Sequence, residues 1–487
     1  MSIEELYDIF LEHPVVTTDS RDCPEGSIFF ALKGETFNGN AYAQSAIEKG
    51  CSFAVVDEPA FANSNRTILV DDVLQTLQKL ANHHRRQLGT RIIGITGTNG
   101  KTTTKELISC VLKKKYNTLY TQGNFNNHIG VPKTLLRLTS DHEIAVVEMG
   151  ANHPGEIRDL VNIVEPDFGL ITNVGKAHLL GFGSFEGVIS TKGELYDFMR
   201  KNGRPIFINN DNPHLKSIAN GLSWIAYGQE EAEDLAIKGT FISASPFLKF
   251  GWKANGCEHT YTVSTQLIGA YNIDNALAAI AVGAQFGVAP ADICDALEEY
   301  APSNNRSQLK RTDDNTLIID AYNANPTSMA AALNNFRIIE AGRKMCILGD
   351  MKELGESSLE EHTKILKLID DSNFENVWLV GSEFRKALET HKCGKNHITP
   401  FNDVAEVNAH ITNNKPKGFT ILIKGSKSTR LIETIEHLLH RDALSFINRC
   451  TERFISLLAP APSREGSFHP KYVVYPPRCK THEASGG

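Results

Sequence analysis

The chain has 487 residues, 41% of them hydrophobic, and 50 Lys and Arg against 57 Asp and Glu give a formal charge of −7. That length predicts about three domains with a large buried core, and the acidic balance without any Lys/Arg block excludes a nucleic-acid footprint, so a phosphate site here would serve a small nucleotide. Nine cysteines stand singly with no Cys-x-x-Cys pair, no basic-then-apolar leader opens the chain and no run approaches the ~18 apolar residues of a spanning helix, which together exclude a disulfide frame, a zinc knot and membrane insertion and predict a soluble cytoplasmic protein.

Residues 1–88 read as a small α/β unit with strands at 27–32, 53–56 and 67–70. A helix over 73–88, opened by Asp71 and Asp72 and apolar at Val73, Leu74, Leu77, Leu80 and Ala81, closes it. From Arg91 strand and helix alternate: 92–96, 101–115, 144–148, 169–172 and 205–209. Near-continuous apolar strands between helices predict a parallel sheet covered on both faces. A β-rich insertion is expected over 238–266 and an Ala-rich helix over 272–286. A second α/β series starts near Asn304, with strands at 317–320, 344–348, 376–380 and 419–423. It lacks a Gly-x-Gly-x-x-Gly at its first turn, so no dinucleotide is assigned to it. The segment 441–487 fits no βα period and reads as an atypical, poorly ordered tail.

The chemistry concentrates where the strand 92–96 breaks into Gly97, Thr98, Asn99, Gly100, Lys101, Thr102 and Thr103. This is a phosphate cradle. Glycines turn backbone N–H groups toward a polyphosphate, the following helix adds its positive end, Lys101 supplies a cation and the Thr102 hydroxyl suits Mg²⁺. The strict Walker pattern requires Gly at position 95, where this chain has Ile95, so the match is to a shorter Gly-x-x-Gly-Lys-Thr-Thr form. Glu148 follows four apolar residues at a strand end, which suits a Mg²⁺ ligand as well as a surface-loop glutamate. His178 also falls just past a strand, where a structural histidine and a metal ligand both fit. Spacing alone makes Lys192 a solvated helix lysine.

Seven motifs change this reading. Thr96-Gly-Thr-Asn-Gly-Lys-Thr-Thr103, Gly123-Asn-Phe-Asn-Asn-His-Ile-Gly130, Glu148-Met-Gly-Ala151, Thr172-Asn-Val-Gly-Lys-Ala-His178, Lys192-Gly-Glu194, Gly269-Ala-Tyr-Asn-Ile-Asp-Asn275-Ala276 and Asp320-Ala-Tyr-Asn-Ala-Asn-Pro326 occur in the order typical of Mur ligases. The chain resembles that ATP-dependent peptidoglycan ligase family over residues ~17–435. Ser20-Arg21 with Phe29-Phe-Ala-Leu-Lys-Gly34, the run Tyr322 to Met329, and Leu348-Gly-Asp-Met-Lys-Glu-Leu-Gly355 place the resemblance nearest the members that add a dipeptide.

The resemblance implies an α/β fold in three domains: a UDP-sugar binder over 1–88, a central P-loop parallel sheet over 89–303 that binds ATP, and a Rossmann-like domain over 304–440. It implies that the loop from Gly97 to Thr103, with Lys101 foremost, holds the β- and γ-phosphates. Thr102, Glu148, His178 and an N-carbamylated Lys192 are then the ligands of two Mg²⁺ ions. Asn124 and Asn127 position an acyl phosphate. Asn275, Arg306, Asp320, Tyr322 and Asn323 contact the nucleotide, Ser20, Arg21 and Lys33 the UDP group, and Lys424 and Ser426 the incoming amine. The implied activity joins D-Ala-D-Ala to UDP-MurNAc-tripeptide through an acyl phosphate, in a monomer. Tyr271 departs from the family, standing where many relatives have His.

Three other readings fit parts of the pattern. A ligase adding the third residue typically shows Asp-Asn-Pro-Arg in its diaminopimelate form, and this chain lacks that tetrapeptide. A folylpolyglutamate-synthase-like activity is disfavoured by the N-terminal unit with Ser20 and Arg21. A non-catalytic nucleotide-binding protein is disfavoured because every metal and lysine position is filled.

Overall fold

The helix expected to close the first unit spans Val73–Leu88. The Asp72 side chain accepts from the N–H of Gln75 at its start, and Gly89, at φ 65°, ends it in the left-handed conformation. Its buried stripe, Val73, Leu77, Leu80 and Ala81, packs into a core shared with Phe30, Val55 and Ile68 of the first sheet. Each fully buried Leu contributes about 1.5–3 kcal/mol. The sheet itself has four parallel strands in the order Val16–Thr17, Ile28–Phe30, Phe53–Val56 and Thr67–Leu69.

In this computed structural model the description covers residues 1–439, which form one compact unit, except 392, 393, 395 and 396. The expectation of a poorly ordered tail over 441–487 lies outside the described residues.

The second sheet has nine strands in the spatial order Tyr261–Ile268, Phe247–Ala254, Leu235–Ala244, Trp224–Gly228, Ile206–Asn209, Phe168–Ile171, Arg91–Thr96, Ile144–Glu148 and Thr118–Tyr120. Arg91–Thr96 runs parallel to both neighbours, with Ile95 opposite Glu148 and Thr96 opposite Ile171. Three strand ends that carry candidate residues therefore lie side by side. Alternation along this strand feeds two cores: Ile92 packs on one face, and Ile93 and Ile95 pack on the other with Leu107, Ile108 and Val111. The β-rich insertion is no separate module. Its three strands extend the same sheet, since Leu235–Ala244 pairs parallel with Trp224–Gly228 before the antiparallel hairpins begin.

The third sheet runs in the order Gln308–Arg311, Thr316–Asp320, Thr420–Lys424, Lys344–Gly349, Asn376–Val380 and His397–Phe401, parallel but for its first pair. The last strand of the described residues sits between two earlier ones. That reversal of strand order opens a crevice at the carboxyl ends, where Asp320 and Lys424 are register partners. Among the described residues no helix is long and apolar enough to cross a membrane.

Candidate active site

The phosphate loop is shaped by two glycines that no other residue replaces. Gly97 has φ 141°, and a Cβ there would lie 2.1 Å from the Thr172 hydroxyl; Gly100 has φ 77°, and its Cβ would lie 2.5 Å from Asn275 Oδ1. The loop is pinned to the neighbouring segment: the Thr98 N–H donates to Asn173 O at 2.9 Å and the Asn99 N–H to Asn173 Oδ1 at 2.9 Å. Lys101 opens the helix Lys101–Lys113 and curls back, donating to the carbonyls of Gly97 at 2.8 Å and Thr98 at 3.0 Å. Desolvation lowers its amine to about 8, against the pull of Glu148.

Glu148 is 1% exposed, which removes the surface-loop alternative. Its Oε2 accepts from the Thr102 hydroxyl at 2.9 Å and its Oε1 from Asn126 Nδ2 at 2.8 Å, while its own N–H donates to Thr121 Oγ1 at 2.9 Å. A hydroxyl and a carboxylate beside a phosphate loop fit Mg²⁺, which keeps several waters and takes substrate phosphate oxygens rather than a full protein cage. No three His, Cys, Asp or Glu side chains among the described residues form a metal-holding group.

The Asn-rich loop was legible, but the member that bonds Glu148 was not. Asn127 turns its Oδ1 to the N–H groups of Gly130 at 2.8 Å and Ile129 at 3.2 Å, capping the next helix. Asn126 instead reaches Glu148, and its carbonyl accepts from the Gly150 N–H at 2.7 Å. Two adjacent asparagines look alike in sequence and both line the cleft, and only the fold decides which reaches Glu148. Asn126→Ala frees one oxygen of Glu148. It should lower kcat by roughly tenfold and raise the Mg²⁺ concentration for half-activity, since a charged-acceptor hydrogen bond contributes about 1.5–3 kcal/mol; an unchanged Mg²⁺ titration returns Asn126 to a packing role.

Lys192 corrects the spacing argument. The helix Phe185–Lys201 buries Val188, Thr191, Lys192, Leu195, Tyr196 and Met199, so the lysine shares the inward face. It is 2% exposed; its Nζ donates to Ala151 O at 3.2 Å and lies 5.1 Å from the centre of the Phe182 ring. No carboxylate of the described residues is within 4 Å of it. Burial first, and the charge of Lys101 second, lower the amine to about 7. His178 lines the same cleft, at φ 51°, but its Nδ1 pairs with the Glu353 carboxylate of the C-terminal part. Burial lowers its pKa in spite of that partner.

The cleft has a volume of about 1100 Å³. Its walls bring together Thr98, Asn99, Gly100, Lys101 and Thr103 with Asn124, Asn127, Glu148 and His178, and across from them Asn275, Arg306, Asp320, Tyr322, Asn323 and Lys424. The Arg306 guanidinium lies 3.9 Å from the Tyr322 ring centre and its Nε is buried with no hydrogen-bond partner among the described residues. Lys424 Nζ bonds Asp320 Oδ2 at 2.5 Å. Asn275 accepts from Thr104 Oγ1 at 3.0 Å. The Tyr271 hydroxyl bonds Ser307 Oγ at 2.9 Å, so this departure from the family is itself tied into the wall.

Four expected residues lie elsewhere. Arg21 is clamped to Asp19, the Ser20 carbonyl accepts from Lys49 Nζ at 2.7 Å, and Lys33 bridges Asp57 at 2.9 Å and Glu58 at 3.0 Å, all in loops of the N-terminal unit and outside the cleft. Ser426 lines a second, smaller cavity.

A phosphate loop facing a second α/β layer across a wide polar cleft defines a nucleotide-using α/β enzyme. Family models agree on which: the Mur ligase family catalytic domain matches residues 14–85, the Mur ligase middle domain 95–283, and the Mur ligase glutamate ligase domain 305–427. The chain belongs to the Mur ligase family. It is 36% identical to the UDP-N-acetylmuramoyl-tripeptide–D-alanyl-D-alanine ligase of Bacillus subtilis (strain 168), covering 87% of this chain and 93% of the relative. Against the protein of that name from Escherichia coli (strain K12) the identity is 33%, over 88% and 94%. Among solved structures, a MurF of Acinetobacter baumannii superposes with a TM-score of 0.79 at 30% identity, covering 88% of this chain and 93% of that one. The MurF ligase of Thermotoga maritima in complex with ADP gives 0.77 at 26%, over 88% and 97%.

Proposed function

We propose that this chain is the ATP-dependent ligase that joins D-Ala-D-Ala to UDP-MurNAc-tripeptide, giving the UDP-MurNAc-pentapeptide precursor of peptidoglycan in the cytoplasm, as a monomer. The observation that carries this is the pairing of a phosphate loop with the buried Lys192 and Glu148 across from Arg306 and Asp320, in a chain whose similar relatives bear that name. Three sheets and three family-model segments support a division into 1–88 for the UDP-sugar, 89–303 for ATP and 304–440 for closure.

An amide cannot form from a carboxylate and an amine until a carboxylate oxygen becomes a leaving group. The γ-phosphoryl of ATP passes to the terminal carboxylate of the tripeptide, giving an acyl phosphate and ADP. The amine of D-Ala-D-Ala then attacks the carbonyl carbon, and phosphate leaves. The loop from Gly97 to Thr103 cradles the phosphates, and Lys101 neutralises charge on the oxygens in flight. Thr102 and Glu148, and at a second position His178 and carbamylated Lys192, would hold Mg²⁺, which would supply further positive charge to the phosphoryl group in transfer. Lys192 suits carbamylation because its buried amine has a single weak hydrogen bond and no counter-charge within 4 Å among the described residues: the ammonium gives up one proton, the free amine and CO₂ combine with loss of a second, and the cation becomes an anion. Asn124 and Asn127 position the acyl phosphate; Asn275, Arg306, Asp320, Tyr322 and Asn323 hold the nucleotide; Ser20, Arg21 and Lys33 the UDP group; and Lys424 and Ser426 the amine substrate.

Water must be kept from the acyl phosphate. The segment joining the phosphate loop to the C-terminal part does this: Lys176 Nζ bonds Glu361 Oε1 at 3.0 Å, and its N–H bonds Thr327 Oγ1 at 3.2 Å. Glu361 retains Lys364 at 2.9 Å when Lys176 is removed, so folding survives. In Lys176→Ala, phosphate release should exceed peptide product by several-fold, where the wild type is stoichiometric; a ratio that stays at one removes the bridge from the closing contacts.

Phosphate release with ATP, Mg²⁺, UDP-MurNAc-tripeptide and D-Ala-D-Ala, each omitted in turn, tests the reading. Release that needs all four supports it. Release with a different amine and none with D-Ala-D-Ala redirects it to another member of the family.

A further inference from the structure

Arg306 is held in the cleft by its backbone and not by bonds of its own. Its guanidinium rests on the Tyr322 ring, its Nε is buried with no hydrogen-bond partner, and no carboxylate lies within 4 Å of it among the described residues. The position of that charge is therefore set by the segment that carries it. Residues 300–307 join the helix Pro290–Glu299 to Gln308–Arg311, an edge strand of the third sheet. Asn305 and Ser307, on either side of Arg306, have φ 53° and φ 50°, a left-handed conformation that residues other than glycine keep only where their surroundings impose it.

Two anchors impose it. After Arg306, the Ser307 hydroxyl bonds the Tyr271 hydroxyl at 2.9 Å. Before it, both oxygens of Glu106 are engaged: Oε2 accepts from the Tyr300 hydroxyl at 2.5 Å and Oε1 from Asn304 Nδ2 at 2.5 Å. Glu106 stands on the helix Lys101–Lys113 that follows the phosphate loop. The ammonium of the buried Lys105 lies 3.6 Å from its Oε1 and balances its charge. Arg306 is also near enough to Lys101 to help lower that amine, so the two cations address one anion site.

Taking the nucleotide site of the ligase reading as its basis, we propose that Glu106 is a positioning residue: by clasping Tyr300 and Asn304 to the phosphate-loop helix, it fixes where Arg306 stands toward the nucleotide. The helix that presents Lys101 and the linker that presents Arg306 are thereby registered to each other, although the linker leads into a different sheet. A nucleotide seated on the loop meets a cation already in place, and its binding does not have to order the linker.

The test is the Kd of a non-hydrolysable ATP analogue with Mg²⁺, by titration calorimetry, in the full-length wild type, Glu106→Ala, Glu106→Gln and Asn304→Ala, each repeated in an Arg306→Ala background. Glu106→Ala should raise Kd by roughly 10- to 100-fold, as expected for one charged hydrogen-bonded contact. Glu106→Gln should stay within about threefold of the wild type, because its amide still accepts from Asn304 and donates to the Tyr300 oxygen. Both variants remove the charge beside Lys105, so their difference isolates the clasp. Asn304→Ala, at an exposed linker residue whose truncation leaves the core intact, should raise Kd by about three- to tenfold. In the Arg306→Ala background each of these changes should shrink to within about twofold. An unchanged Kd in Glu106→Ala or in Asn304→Ala overturns the inference, and so does a loss of equal size with and without Arg306, which makes the clasp a general support of the fold. Binding is read without turnover: a wild type that binds the analogue and makes no pentapeptide overturns the ligase reading alone, and one that does not bind it overturns both.

Discussion

Replacing Lys101 by Met should lower kcat by on the order of 100- to 1,000-fold while thermal stability stays within a few degrees of the wild type. The magnitude is that of removing one preorganised donor from a site where charge develops. In this structure the Lys101 ammonium has no carboxylate of the described residues within 4 Å; it rests on the carbonyls of Gly97 and Thr98, at 2.8 and 3.0 Å. These are placeholders that a phosphate displaces, and desolvation has already brought the amine down to about 8, so an arriving anion is strongly favoured. Met keeps the length of the side chain, and the loop keeps its own anchors through Asn173. Steady-state kinetics beside a melting curve measure both effects. A kcat within threefold of the wild type would remove Lys101 from the reacting phosphates.

Lys192→Ala should cost a similar factor, on the order of 1,000-fold, for a different reason. The lysine is needed as a carbamate and not as a cation. Its Nζ has one long hydrogen bond, to Ala151 O at 3.2 Å, in a pocket closed by Phe182. An ammonium held so poorly is a weak structural element, whereas an anion there completes the set begun by Glu148. Two readouts separate this from lost packing. Wild-type protein depleted of CO₂ should lose activity and regain it with bicarbonate. Lys192→Ala, which leaves room for a small acid, should recover part of its activity with millimolar propionate. Full activity in Lys192→Ala, or a wild type indifferent to bicarbonate, contradicts the carbamate assignment.

The strands of the central and C-terminal sheets were legible because they are buried on both faces and read as unbroken apolar runs. Ile144–Glu148 and Asn376–Val380 fall where periodicity put them. Short or edge strands such as Thr118–Tyr120, Gln308–Arg311 and His397–Phe401 escaped, since two or three residues carry no period and an edge need not be apolar. The phosphate loop announced itself through backbone demands that only glycine meets. Lys192 did not: a helix lysine reads as solvated unless its neighbours at Val188 and Leu195 are seen to form a buried face. Asn126 depends on which way one side chain turns, and that is not a property of sequence spacing. Arg21 shows the converse. Its motif was found, and the structure adds what spacing does not name, the Asp19 carboxylate that its guanidinium bonds.

The central claim is that the tripeptide carboxylate is activated by phosphoryl transfer and then captured by the dipeptide amine. UDP-MurNAc-tripeptide carrying ¹⁸O in its terminal carboxylate, incubated with ATP, Mg²⁺ and D-Ala-D-Ala, tests it in one reaction read by mass spectrometry. The expected result is a UDP-MurNAc-pentapeptide with one labelled oxygen lost and that oxygen recovered in inorganic phosphate. Phosphate free of label, or no pentapeptide while ATP is consumed, contradicts it.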